Sequence, residues 1–164
     1  MQRIFSFLLT LSLFISLFSL TPATYAQTVN PKQEYTVSKY EQEVINLVNE
    51  ERKKRNLDPL KLDIKLSQLA RQKSEDMRDK NYFDHTSPTY GKPCDHMKKE
   101  GVDYRYCGEN IGAGYKTPEE AMDGWMKSEP HRENILSPNY THIGVGYAEG
   151  GGEYGTYWTQ QFKG

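Results

Sequence analysis

From Tyr40 onward the apolar residues fall at helical spacing: Tyr40, Val44, Leu47 and Val48 recur three and four apart, with charges between them. The spacing predicts a first helix running to about Arg55. Its start is marked by Ser38-Lys39-Tyr40-Glu41, a capping box in which hydroxyl and carboxylate take up amides that the first turn leaves free. Asn56-Leu57-Asp58-Pro59 stops it, because proline biases the residue before it away from helix. Asp63 is placed to cap a second helix, whose apolar face is Leu66, Leu69, Ala70 and Met77 and which ends near Asn81. A loop rich in Ser, Thr, Pro and Gly follows over 84–93, then a short charged helix over 94–100, closed by Gly101.

After Gly101 the pattern changes. β-formers and glycines between Tyr104 and Tyr115 predict a short strand around Asn110-Ile111. Thr117-Pro118-Glu119-Glu120 is a third helix start: a capping hydroxyl, proline in the first turn, then acids favoured by the helix dipole. Ala121, Met122, Trp125 and Met126 supply its apolar face, and one further turn is expected over 131–136. Two strand-like runs, 141–148 and 154–162, are joined by Glu149-Gly150-Gly151-Gly152-Glu153 and read as a hairpin. Helices followed by a small antiparallel sheet make an α+β layout in one domain, 38–164, without internal repeats.

Ahead of that domain stand two other segments. Residues 1–20 are apolar or hydroxylic apart from Gln2 and one charge, Arg3, and are followed by Thr21-Pro22-Ala23-Thr24-Tyr25-Ala26. A charged tip, an apolar run, a helix breaker and small residues form the layout of a secretory signal peptide, 1–26, cut after Ala26; an uncleaved membrane anchor is the alternative, the run over 4–20 being long for a signal core and short for a span. A polar, extended lead-in over 27–37 then reaches the first helix. Export places the chain outside the cell or in its envelope, with no membrane span left after cleavage. Of 164 residues, 138 remain, carrying 20 basic and 22 acidic side chains. That near-neutral balance lacks the electrostatic footprint of a nucleic-acid binder.

Cys94 and Cys107 both lie in the exported part. An even count in an oxidising compartment favours a disulfide, which for so short a loop contributes about 3 kcal/mol in the chain-entropy model. Two buried free thiols are the alternative. No CxxC or His-rich spacing surrounds them to suggest a metal pair.

Candidate chemistry starts from four histidines, since imidazole serves both proton transfer near neutral pH and metal ligation. His85 lies in the Pro/Gly-rich loop, where functional groups concentrate. Glu109 stands between Gly108 and Asn110, and His131 follows Glu129-Pro130. His96, on the short charged helix, is expected to be exposed, and His142, before a strand, to be structural. Trp125 and Trp158 are expected in the core. Tyr104, Tyr106 and Tyr115 could line a ligand groove or simply cover a small core. HExxH, GxSxG, phosphate-loop and dinucleotide signatures are missing from the sequence.

Five motifs in order carry a resemblance: His85-Thr86-Ser87-Pro88; Gly108-Glu109-Asn110-Ile111; Trp125 through His131-Arg132-Glu133-Asn134-Ile135-Leu136; His142-Ile143-Gly144-Val145-Gly146-Tyr147; and Tyr157-Trp158-Thr159-Gln160. Together they resemble bacterial domains of the CAP superfamily (cysteine-rich secretory, antigen-five and pathogenesis-related proteins, SCP-like), over roughly 40–162. The resemblance implies an α-β-α sandwich with a small antiparallel sheet between helical layers, and a cleft where two histidines and two acids meet. It assigns His85 and His131 as the histidines and Glu109 as the first acid. Many eukaryotic members place the second acid three residues after the tryptophan; here that position is Ser128, with Glu129 one residue later.

Two imidazoles and a carboxylate are a donor set that suits a divalent metal such as zinc. The reading adopted is an extracellular or envelope binding module whose His85/Glu109/His131 cleft, with Glu129 as a fourth member, opens on a groove lined by Tyr104, Tyr106, Tyr115 and Ser128. The ligand expected there is a peptide, a glycan or a lipid. A secreted peptidase-like hydrolase, in which Glu109 or a histidine activates water, is a second reading. A structural coat or matrix component is a third.

Overall fold

Nine regular elements follow one another in the computed structural model, which describes residues 35–164: α1 (Lys39–Lys53), β1 (Lys61–Leu62), α2 (Ile64–Asp79), α3 (Pro93–Lys99), β2 (Cys107–Ala113), α4 (Pro118–Lys127), α5 (Glu129–Leu136), β3 (His142–Glu149) and β4 (Thr156–Lys163). The expected signal peptide and most of the lead-in lie outside the described residues. The three caps read from the sequence are all present. The Ser38 hydroxyl accepts from the Glu41 amide while the Glu41 carboxylate accepts from the Ser38 amide. Asp63 caps α2 through the Leu66 amide, and Thr117 caps α4 through the Glu120 amide. Ser38→Ala removes one of these acceptors and should cost about 1 kcal/mol, read as a lower urea midpoint with an unchanged slope.

The strands form one sheet in the order β1-β3-β4-β2. β3 and β4 make the expected antiparallel hairpin, and β2 pairs antiparallel with the far side of β4. β1 was not expected and runs parallel to β3, so the sheet is mixed. Two exposed residues give no alternation to read. They become a strand because the Lys61 amide donates to Thr141 O and the Asp63 amide to Ile143 O, between the proline that ends one helix and the cap that starts the next.

Alternation along the strands divides the sheet into two covered faces. On one, Val44, Ile45 and Val48 of α1, Ala121, Met122 and Trp125 of α4, and Ile135 of α5 pack on Ile143, Val145, Trp158 and Phe162. On the other lies α2, with Met77 against Ile111 and Tyr157. The result is the α-β-α sandwich that the motifs imply. Trp125 and Trp158 are both buried, with their indole N–H groups donating to Ile111 O and Tyr115 O.

A third cluster joins Leu66 and Leu69 of α2 to Met97 and Val102 around α3. Cys94 and Cys107 are disulfide-bonded, tying α3 to the first residue of β2. His96 departs from expectation: it is 5% exposed and stacked on Tyr90 with ring centroids 4.5 Å apart. A short helix of charged residues does not reveal that the 84–93 loop folds back over one of its faces. His142 is half-buried, with its Nδ1 2.8 Å from the hydroxyl of the adjacent Thr141.

Candidate functional site

Three elements bring the candidate residues together. The 80–92 loop carries His85, β2 carries Glu109, and α5 carries His131 in its first turn. Glu109 belongs to the α2 face of the sheet and is 7% exposed. Its Oε1 lies 2.9 Å from His85 Nδ1, and its Oε2 accepts from Gln161 Nε2 at 3.2 Å. A carboxylate in that place accepts on both oxygens, so His85 donates from Nδ1 and presents Nε2 outward; its side chain is half exposed.

His131 reaches the same edge of the sheet from the opposite layer. Its Nδ1 is 2.8 Å from the Ser128 hydroxyl, and its carbonyl accepts from Asn110 Nδ2 at 3.0 Å. Asn110 is fully buried, also donates to Gln160 Oε1 and accepts from Asn134 Nδ2, so the start of α5 is fastened to β2 by side-chain amides. Burial holds the His131 imidazole below its ordinary range, and the nearby His85 lowers it further.

From His131 and Ser128 a groove of about 280 Å³ runs along Ile111, Gly112 and Ala113 between Phe83, Tyr115, Trp125 and Tyr154. Tyr115 and Ser128 are in its lining. Tyr104 is not in its lining; its hydroxyl donates to Cys94 O and its ring packs on the Met97 cluster. Tyr106 is exposed, with the Arg105 guanidinium over its ring. Glu129 is exposed in the first turn of α5, and no hydrogen bond joins it to His85, Glu109 or His131. A larger cavity, about 520 Å³, lies elsewhere, between Arg52, Asn56, Lys61 and Tyr140. Its buried guanidinium is engaged by the carbonyls of Asp58, Ile135 and Ser137, so it braces a helix end.

The donors do not fit a preformed metal centre. Among the described residues no three His, Cys, Asp or Glu side chains come together closely enough to hold an ion. Each histidine has its Nδ1 on a neighbour, and Glu109 has both oxygens engaged. The arrangement can hold His85 in one tautomer and offer two Nε2 atoms to a ligand.

Sequence reasoning missed the groups behind His85. Lys73, Asp76 and Gln161 are all buried, and the first two fasten the loop that carries it. One signal was available: Lys73 falls at helical spacing between Ala70 and Met77, on the face read as apolar.

Two histidines give the fold a pH response. Burial lowers His96, and burial with His85 lowers His131, so both take up a proton more readily when the chain unfolds. Stability is therefore full above their unfolded value, about pH 6.5, and falls as the solution is acidified below it. Carboxylates held low, Asp63 and Asp76 among them, lose their contribution only in more acidic solution. Urea unfolding should show a falling midpoint from about pH 7 to about pH 5, with a shallower fall in His96→Phe. A flat profile would contradict this.

Comparison with known proteins decides the family. The model described as "CAP: Cysteine-rich secretory protein family" matches residues 45–162, which contain β2, β3, all of β4 but its last residue, and His85, Glu109 and His131. The chain belongs to the CAP family. YkwD, an uncharacterized protein of Bacillus subtilis (strain 168), is 55% identical over 147 residues, covering 89% of this CAP chain and 56% of YkwD. YlbC, an uncharacterized membrane protein of the same organism, is 38% identical over 122 residues, covering 74% of this chain and 34% of YlbC. The CAP chain thus spans about half and about a third of the lengths of these relatives. Among solved structures, an extracellular protein containing a SCP domain from Bacillus anthracis str. Ames superposes with a TM-score of 0.68 at 32% identity, covering 79% of this chain and 45% of that one. No helix among the described residues is long and apolar enough to cross a membrane.

Proposed function

We propose that this CAP chain is a secreted or envelope-held binding module, and that His85, Glu109 and His131 form the polar end of its ligand groove. The observation that carries the reading is the 2.9 Å pairing of His85 with a buried Glu109, 24 residues away, on the strand whose later residues Ile111, Gly112 and Ala113 line the groove. Buried carboxylates are costly unless partnered, and this one is partnered by a half-exposed imidazole at the surface rather than inside the core. The aromatic walls and a few convergent polar groups suit a peptide, a glycan or a lipid.

Export is supported by the leader-like pattern of 1–26 and by the disulfide, which persists in oxidising compartments. It is also supported by the extracellular Bacillus anthracis relative. A bacterial envelope is the setting proposed.

Co-sedimentation of the domain over 27–164 with insoluble peptidoglycan, with phosphatidylglycerol vesicles and with immobilised peptides tests the reading. Retention on one of the three, reduced at least tenfold in Glu109→Gln without loss of folding, is the expected result. Equal retention of the variant on every matrix would place the ligand elsewhere and sink the proposal.

A further inference from the structure

The loop bearing His85 lacks regular structure apart from a single Ser87–Gly91 bridge, yet its histidine meets Glu109 at hydrogen-bond distance. What holds it is a pair of charges one turn apart on α2. Asp76 is 7% exposed and accepts from the hydroxyls of Ser87 (2.6 Å), Tyr82 (2.7 Å) and Thr89. The Ser87 hydroxyl in turn accepts from the amides of Thr89 and Tyr90, closing the turn. These contacts fix the loop downstream of His85.

Lys73 acts on His85 itself. It is 3% exposed, and its ammonium donates to the carbonyls of Asp84 (2.5 Å) and His85 (3.0 Å) and to the Tyr82 hydroxyl (3.0 Å). All three ammonium hydrogens therefore have acceptors. No salt bridge to a carboxylate engages it, although Glu109, Asp76 and Asp84 are near enough to favour its charge. A lysine buried this deeply is costly, and an apolar residue would continue the α2 face between Ala70 and Met77. Packing alone gives no reason for an ammonium here; two consecutive carbonyls directed at it do.

We propose that Lys73 is the positioning residue of the cleft: by clamping the backbone carbonyls of Asp84 and His85 it keeps His85 Nδ1–H on Glu109 and so presents Nε2 to the ligand groove. The inference rests on the cleft reading above, but it concerns the imidazole and not the ligand. Lys73 is not in the groove lining, and its hydrogen bonds go to Tyr82, Asp84 and His85, none of which lines the groove.

The test reads the neutral tautomer of His85 from its ring nitrogen shifts by NMR, with no ligand present. The expected result is the Nδ1–H form in the wild type and in Tyr82→Phe, which keeps both carbonyl bonds. In Lys73→Met the expected result is loss of that form, with reversion to the Nε2–H form usual for a free imidazole. A merely structural lysine would lower the melting temperature and leave the tautomer unchanged, and that outcome overturns the proposal. Should Lys73→Met fail to fold, the wild type decides. A protected Lys73 ammonium signal, with cross-relaxation to the His85 backbone, supports the clamp, and its absence overturns it. An intact tautomer in a protein that binds no matrix would count against the binding module and leave the clamp standing.

Discussion

Gly146→Ala is expected to destabilise the domain by about 3 kcal/mol, at the upper end of what overpacking a close-packed interior costs. The reason is the closeness of α2 to the sheet. A Cβ on Gly146 would stand 2.1 Å from the Ala70 carbonyl carbon and the Arg71 amide nitrogen, and one on Gly144 would stand 2.2 Å from the Leu66 and Ser67 backbone. Those atoms belong to a helix backbone and cannot swing aside as a side chain can. Nor can α2 lift as a whole. The Ser74 hydroxyl is bound to Gly146 O and to Thr159 Oγ1, and Ser67 Oγ accepts from the Val145 amide. Because Lys73 and Asp76 ride on α2, the same substitution should also loosen the His85 loop. Chemical denaturation gives the energy. A variant as stable as the wild type would mean that helix and sheet are less closely packed than described.

Reducing the Cys94–Cys107 bond should cost about 3 kcal/mol, from the chain entropy that a loop of this length restores to the unfolded state. The effect on the site should be larger than the energy suggests. Cys107 begins β2, and Glu109 is two residues on, so the bridge fixes the end of the strand that carries the carboxylate. The Met97 sulfur beside Cys107 and the cluster with Val102 and Leu69 keep α3 in place when the bond is open. Reduction is therefore expected to lower the urea midpoint without unfolding the chain at room temperature. Cys94→Ser with Cys107→Ser should match the reduced protein. An unchanged midpoint in either would show that the loop is already restricted in the unfolded chain.

Much of this architecture is legible in the sequence because its signals are local. The Ser38 box, the Asp63 cap and Thr117-Pro118 each announce a helix with the few residues that start it, and the glycine run after Glu149 announces the hairpin. β1 is illegible because it exists only through β3. The helix over Glu129–Leu136 reads as a single turn over 131–136 because Pro130 looks like a boundary, whereas it occupies the first turn of the helix, where a missing amide costs nothing. His96 and Lys73 mislead for a shared reason. Each is a polar residue whose burial depends on the 84–93 loop folding back, and nothing in the order of residues states where a loop returns.

The candidate site divides along the same line. His85, Glu109 and His131 stand out through their motifs, and the 2.9 Å contact brings two of them together. Glu129 stands out equally by motif but is carried to the exposed side of α5, whereas Ser128, in the place of the usual acid, turns its hydroxyl to His131. Which of two adjacent residues faces inward depends on how a helix start is rotated, and that rotation is set here by the Asn110–Asn134 and Asn110–His131 hydrogen bonds.

The claim that function resides at this edge of the sheet is tested most directly by an amide chemical-shift map. The domain over 27–164 would be titrated in turn with soluble peptidoglycan fragments, a peptide pool and phosphatidylglycerol micelles. The account predicts that at least one titration shifts His85, Glu109, Ser128, His131 and Tyr115 together, and that Glu109→Gln abolishes the response. Shifts confined to the larger cavity at Arg52, Lys61 and Tyr140, or no shifts with any of the three, would contradict it.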